Sequence, residues 1–262
     1  MRQNDNFSPI RFYATAPYTC SYLPERIARS QVALTKVVEV PGPVPETDLN
    51  PDLAAAYSTL LVQHGFRRSG TFIYRPYCAD CRACVPVRLP VGCFVPNRSQ
   101  RRAMQRHAEL AVRICSPVFS EEHFLLYQRY LHMRHPRGGM DEDSREQYQQ
   151  FLLQSPVETF FAEFREGGSL RMVCVIDRLE DGFSSVYTFF DPDLARASLG
   201  SYAILWQIEA CRQAHLPYLY LGYWIRESQK MSYKTRFRPI EGYRDGFWRE
   251  IDPAVPATSA LG

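Results

Sequence analysis

The sequence predicts an α+β fold: a mixed sheet with flanking helices, preceded by a smaller α/β unit that carries a cysteine loop. Residues 120–225 run through two helical patterns, three strand-like runs joined by tight turns, a further helix and an apolar strand. Residues 66–89 set Cys78, Cys81 and Cys84 at three-residue spacing between two strand-like runs, among several arginines. A chain of 262 residues with 45% hydrophobic composition can bury a sizeable core, as one large domain or two modest ones.

Taken in order, residues 17–26 form a loop holding Tyr18, Cys20 and Tyr22. Residues 31–40 alternate weakly and are assigned a strand, which Pro41-Gly-Pro-Val-Pro45 ends. Asn50-Pro51 is a helix start, with Asn as cap and Pro at the first helical position. Leu53, Tyr57, Leu60 and Leu61 would be its apolar stripe and Gly65 its stop. Ser69-Gly70 turns into a strand at 71–74, the cysteines occupy a short loop, and 85–91 is the returning strand. Asn97-Arg98-Ser99 then opens a basic helix or strongly basic turn over 100–107, and Arg98, Arg101, Arg102 and Arg106 lie at near-helical spacing. We place an N-terminal subdomain at 1–115, a second domain at 116–251 and a flexible tail at 252–262.

In the second half, Ser120 starts a helix that reaches about residue 133, and a loop at 134–140 follows. Ser144 with Gln147 makes a capping box for the next helix. Strand-like runs at 157–165, 170–179 and 183–190 are joined by Glu166-Gly-Gly168 and Glu180-Asp-Gly182, so they should form an antiparallel meander. After Asp191-Pro-Asp193 a helix begins near Ser201 and turns Ile204, Leu205, Ile208 and Cys211 inward. Residues 218–223 lack charge and suit a strand buried on both faces. This order of elements is, by analogy, that of the acyltransferase fold called GNAT.

A net charge of +3 is too mild for a protein that wraps nucleic acid, although clustered arginines still make a local basic face. No run approaches the roughly 20 apolar residues that cross a bilayer, and Met1-Arg-Gln-Asn-Asp-Asn6 lacks a signal-peptide core, so a cytosolic location without membrane attachment is expected. In that compartment eight cysteines read as thiols, metal ligands or reactive groups before disulfides. Cys93, Cys115, Cys174 and Cys211 are scattered and assigned to packing.

Several blocks in order carry a family likeness: Cys20-Ser-Tyr-Leu-Pro-Glu-Arg26, Gly65-Phe-Arg-Arg-Ser-Gly70, Tyr74-Arg-Pro with Cys78, Cys81 and Cys84, Arg98-Ser-Gln-Arg-Arg102, Phe190-Asp-Pro-Asp193, Ser198-Leu-Gly200 and Tyr220-Leu-Gly-Tyr-Trp-Ile225 with Lys230-Met231 and Tyr233-Lys234. The chain resembles the N-end-rule aminoacyl-tRNA–protein transferases, closest to their bacterial aspartate/glutamate leucyltransferase branch, over about residues 17–250. The resemblance implies a GNAT-like domain with an N-terminal subdomain. It also implies transfer of leucine from aminoacyl-tRNA to the α-amine of proteins that begin with Asp or Glu, marking them for degradation.

An aminoacyl ester is already activated, so such chemistry rests mainly on orientation, with effective molarities of about 10⁵ to 10⁸ M available. An α-amine of pKa about 7.7 to 8.0 is partly neutral unaided. A general base would add about 10² to 10⁴, and Asp191 and Tyr223 are the candidates. Arg98, Arg101, Arg102 and Arg106 form one phosphate-tracking cluster; Lys230 and Lys234, with Arg236 and Arg238, form another; Gly200 and Ser201 would offer helix-start amides. An acidic acceptor side chain calls for a guanidinium, and Arg88, then Arg75, are assigned that role. No cofactor is required by the chemistry. Cys20, Cys78, Cys81 and Cys84 are the ligand set for zinc or an iron–sulfur cluster if a metal is bound, but Leu23 stands where the resemblance would put a further cysteine.

Three alternatives stay open at the level of sequence. An arginyl-tRNA donor fits the same acceptor. A cysteine-stapled RNA-binding module without catalysis accounts for the arginines but leaves the second domain without a role. An acetyl-CoA-dependent acetyltransferase needs a glycine-rich pyrophosphate loop, and Arg196-Ala-Ser-Leu-Gly200 has a single glycine.

Overall fold

Fourteen short strands and five α-helices make up the fold among the described residues, 11–34, 51–134 and 144–252 of a computed structural model. The first strands are β1 (Phe12–Ala14), β2 (Tyr18–Thr19), β3 (Ile27–Ala28) and β4 (Ser30–Leu34). Helix α1 (Pro51–Gln63), then β5 (Arg67–Ser69), β6 (Phe72–Pro76) and β7 (Val85–Pro90), complete the cysteine-bearing region. An antiparallel sheet of order β1-β4-β6-β5 forms here, and β2 pairs with β3 beside it. Leu61, Phe66, Ile73 and Ala33 are its core. Leu61 is buried as expected, but Leu60, expected on the same stripe, is 48% exposed, because α1 turns Val62 inward in its place. The expected cap Asn50, the outer part of the strand placed at 31–40, the loop at 135–140 and nearly all of the tail at 252–262 lie outside the described residues.

Helix α2 (Arg98–Arg106) is closed by a capping box: the Asn97 side chain accepts from Gln100 N, and the Gln100 side-chain oxygen accepts from Asn97 N. Strand β8 (Ala111–Cys115) and helices α3 (Glu121–Arg134) and α4 (Arg145–Tyr148) follow. The Ser144 side chain accepts from Gln147 N at the start of α4. The meander is present as β9 (Thr159–Glu166), β10 (Ser169–Arg178) and β11 (Gly182–Phe190), all antiparallel. Helix α5 (Leu199–Gln213) and strand β12 (Tyr218–Trp224) close the expected order, and a hairpin of β13 (Glu241–Arg244) and β14 (Phe247–Glu250) follows it.

These strands make one mixed sheet of order β14-β13-β7-β12-β11-β10-β9-β8, in which only β11 and β12 run parallel. Alternation decides its two faces. On β10, Met172, Cys174 and Ile176 pack under α5 with Leu205 and Ile208, while Val173 and Val175 pack against Tyr127 and Leu131 of α3. Strands β7 and β8 precede the boundary placed at residue 115, yet both belong to this sheet, so the two halves of the sequence share it. Strands β1, β2, β3, β5, β8, β13 and β14 were not expected, β2 falling within the stretch read as a loop: these runs are short and carry no clear alternation. Among the described residues no helix is long and apolar enough to cross a membrane.

Candidate active site

Parallel strands β11 and β12 pair only from Gly182 to Ser184 against Tyr218 to Tyr220 and then diverge, and on its other edge β12 shifts register against β7 between Tyr220 and Gly222. The guanidinium of Arg67, on β5, fills the gap. Its Nη2 donates to the carbonyls of Val186 and, at 3.4 Å, Ser185. Gly222, at φ +71°, leaves room for it. Arg67 faces Tyr74 across the β5–β6 pair. Tyr74 and Tyr223 in turn line a narrow cleft with Tyr18, Tyr22, Arg26 and Cys84. The next residue, Arg68, points the other way into a buried pair with Asp177 at 2.7 Å. Neither arginine was singled out from sequence. A glycine inside the apolar run 218–224 was the available signal, since such a glycine marks close approach of another group.

Tyr223 does not have the geometry of a base. Its hydroxyl sits 2.9 Å from the Gly65 carbonyl and 3.1 Å from that of Tyr74, and burial pushes its pKa well above 10. Its own carbonyl accepts from the Nζ of Lys234. Lys234, expected to meet phosphate, is 3% exposed; burial and then neighbouring Arg67 hold its amine well below the usual lysine range. A buried amine cannot reach a polyanion at the surface, so that expectation is corrected.

The structure brings the four expected cysteines together at the cleft. Cys20 Sγ accepts from Leu23 N at 3.4 Å and Cys81 Sγ from Arg26 Nη1 at 3.1 Å, while the Cys78 thiol donates to the Arg29 carbonyl at 3.7 Å. Arg82 ties the loop through the carbonyls of Cys78 and Cys81. Burial, then the other three thiols, push Cys84 up to about 12. Among the described residues no three His, Cys, Asp or Glu side chains are placed to hold a metal ion, and Cys20, Cys78 and Cys81 make the hydrogen bonds of reduced cysteines.

Arg88 is not available for a ligand. Its Nε donates to Glu241 at 2.7 Å, its Nη1 to the Tyr220 hydroxyl at 3.3 Å, and its Cζ lies 3.6 Å from the Tyr218 ring centre and 4.5 Å from that of Trp248. Glu241 and Trp248 come from the hairpin beyond β12, which is why alternation in β7 alone missed this enclosure. Arg75 donates to Gln31 at 2.8 Å and stacks on Phe66. Following Tyr74 on β6, it points to the opposite face of that sheet.

Asp191 is buried, with one oxygen 2.9 Å from Arg129, the other 2.9 Å from Arg171, and a 3.2 Å bond from Asp193 N. Its lone pairs are engaged in anchoring the loop between β11 and α5. Gly200 and Ser201 lie in the first turn of α5, with Gly200 against Phe190 at the end of β11. Arg98, Arg101, Arg102 and Arg106 lie on the exposed side of α2, while Gln100, Ala103 and His107 face inward. Gln100 Nε2 donates to the Arg236 carbonyl at 3.0 Å. The segment bearing exposed Lys230, Arg236 and Arg238 therefore abuts α2.

Comparison with known proteins covers both halves. Residues 18–102 match the family model described as arginine-tRNA-protein transferase, N terminus, and residues 122–244 match its C-terminal counterpart. The aspartate/glutamate leucyltransferase of Thiobacillus denitrificans is 52% identical over 94% of this chain and 97% of its own. That of Chromobacterium violaceum is 48% identical over 95% and 98%. Among solved structures, L-PGS from Bacillus licheniformis is similar with a TM-score of 0.41 and 12% identity, covering 63% of this chain and 49% of its own. The C-terminal domain of a putative lysylphosphatidylglycerol synthetase from Agrobacterium fabrum has a TM-score of 0.43 at 12% identity over 67% and 53%.

Proposed function

This chain belongs to the arginine-tRNA-protein transferase family, and we propose that it acts within it as a leucyltransferase. It moves leucine from a charged tRNA to the α-amine of proteins that begin with Asp or Glu, in the cytoplasm, and so marks them for degradation. One observation carries the reading: about half of all positions are shared with aspartate/glutamate leucyltransferases along nearly the whole of both chains. The same names favour a leucyl over an arginyl donor.

The GNAT-like reading is supported by the sheet, whose one parallel pair splays beside the start of a buried helix. In this reading α2 and the abutting residues 230–238 track tRNA phosphates through Arg98, Arg101, Arg102, Arg106 and Lys230. The charged end reaches the cleft beside Arg67, Tyr74 and Tyr223. The ester needs no further activation; the chain's task is to hold the two reactants together and keep water out. Asp191 and Tyr223 act as positioning groups: one fixes the loop before α5, the other ties β12 to the cysteine-bearing region. The acceptor amine then attacks the leucyl ester carbonyl as its own neutral form; the amide C–N bond forms, the ester C–O bond breaks, the tRNA leaves as its free hydroxyl with the proton the amine gives up, and the amine's pKa sets the rising limb of the pH profile.

The decisive assay supplies Leu-tRNA and Arg-tRNA side by side with a peptide beginning in Asp. Label from Leu-tRNA alone is expected. Label from Arg-tRNA alone overturns the leucyl reading, and label from neither overturns transferase activity altogether.

A further inference from the structure

Arg67 is a cation set in the protein without a counter-ion. Among the described residues no carboxylate pairs with it; only Nη2 has hydrogen-bond partners, the carbonyls of Ser185 and Val186. Its Nε and Nη1 are left over. It is half-buried, at the divergence of β11 and β12, opposite a tyrosine that lines the cleft. Its Nη1 stands over Gly222, where a Cβ would come within 2.1 Å, so no side chain covers it from that side. The other arginines of the region are spoken for or solvated. Arg68 is paired with Asp177, Arg88 with Glu241, and Arg75 faces away. Arg26 and Arg29, at the cleft mouth, are exposed.

Burial is what makes this placement selective. Asp and Asn have nearly the same shape, so only charge and hydrogen-bond polarity separate them. An exposed ion pair is worth at most about fivefold. A sheltered guanidinium with spare N–H groups welcomes a carboxylate and rejects an amide, whose NH₂ end can only oppose it.

Resting on the transferase reading above, we infer that Arg67 receives the side-chain carboxylate of the acceptor's N-terminal Asp or Glu, through its free N–H groups in the strand gap, next to the Tyr74 that lines the cleft. The acceptor's α-amine is then held near the splayed strand ends, and Gly222 preserves the space that this contact needs.

Phenylglyoxal labelling of the full-length unaltered protein, read by peptide mass spectrometry, tests this without a variant. Saturating Asp-Ala should protect Arg67 while Asn-Ala should not. Equal labelling with both dipeptides overturns the assignment, as does a free protein in which Arg67 does not label, because a site that admits an Asp side chain admits the reagent. In parallel, Arg67→Gln should lower kcat/KM for Asp peptides by roughly 10- to 100-fold, collapse the Asp-over-Asn preference and leave tRNA affinity unchanged. If Arg67→Gln folds and keeps that preference, the assignment also fails. If the unaltered protein transfers no leucine to Asp peptides, the reading of the function falls instead.

Discussion

A Cβ built on Gly222 would lie 2.1 Å from Nη1 of Arg67 and 2.8 Å from its Cζ. At φ +71°, Gly222 also holds a backbone conformation that L side chains rarely adopt. Gly222→Ala should therefore strain β12 by about 1 to 2 kcal/mol and push the guanidinium out of the strand gap. The expected outcome is a lowered Tm together with a larger fall in transfer to Asp peptides than the Tm explains. An active variant with unchanged kcat/KM would mean that Arg67 has another way to sit.

Arg88 is enclosed by Glu241, Tyr220, Tyr218 and Trp248. Lysine cannot copy the planar fork or the stacking. Arg88→Lys should lower stability by about 1.5 to 3 kcal/mol and leave the Asp-over-Asn preference untouched in the folded fraction. Loss of that preference with an unchanged denaturation midpoint would return Arg88 to the site.

Arg98, Arg101 and Arg102 project from α2 without an ion pair among the described residues. Each phosphate contact contributes a log–log salt slope of about 0.7 to 0.9 in magnitude. Replacing Arg98 and Arg102 by Gln should flatten the salt dependence of tRNA binding by about two such steps. The same slope before and after would assign these arginines to solvent alone.

The cysteine cleft tests the question of a metal. Because burial holds Cys84 at about 12 and no three described side chains are set as ligands, transfer and Tm should both survive exhaustive chelation. Stoichiometric zinc or iron in anaerobically purified protein, with activity lost on its removal, would show that the thiols rearrange around a metal.

Glu163 ties β9 to Arg113, Arg165 and His123, with ion pairs to the two arginines at 2.8 and 3.1 Å and a hydrogen bond to His123 at 2.7 Å. Burial alone would raise its pKa; the hydrogen bonds from Arg113, His123 and Arg165 outweigh that and hold it at about 2, against an ordinary 4.5. A depressed carboxyl stabilises the fold above its unfolded pKa and ceases to as pH falls through the folded one. The Tm gap between the protein and Glu163→Gln should therefore be constant above about 4.5 and close between there and about 2. A gap that persists at the acid end would point to shape rather than charge.

The sequence by itself determined what depends on neighbours along the chain. The order of helices and strands from Ser120 to Trp224, the Asn97 and Ser144 caps, and the meander follow from period, turn residues and capping chemistry. Its ordered motifs carried the family, and with it the reaction, because many short blocks in register are specific even where each alone is weak. The convergence of Cys20 with Cys78, Cys81 and Cys84 was legible in the same way.

Which charges are free was decided by tertiary structure alone. Arg67 and Arg68 are adjacent, yet one enters a strand gap and the other an ion pair with Asp177, 109 residues away. Arg88 and Lys234 read as functional cations until Glu241 and the Tyr223 carbonyl are packed against them. The physical reason is desolvation: a charge is available to a ligand only where the fold leaves it sheltered but unpaired, and partners that arrive from distant strands leave no mark in the local pattern.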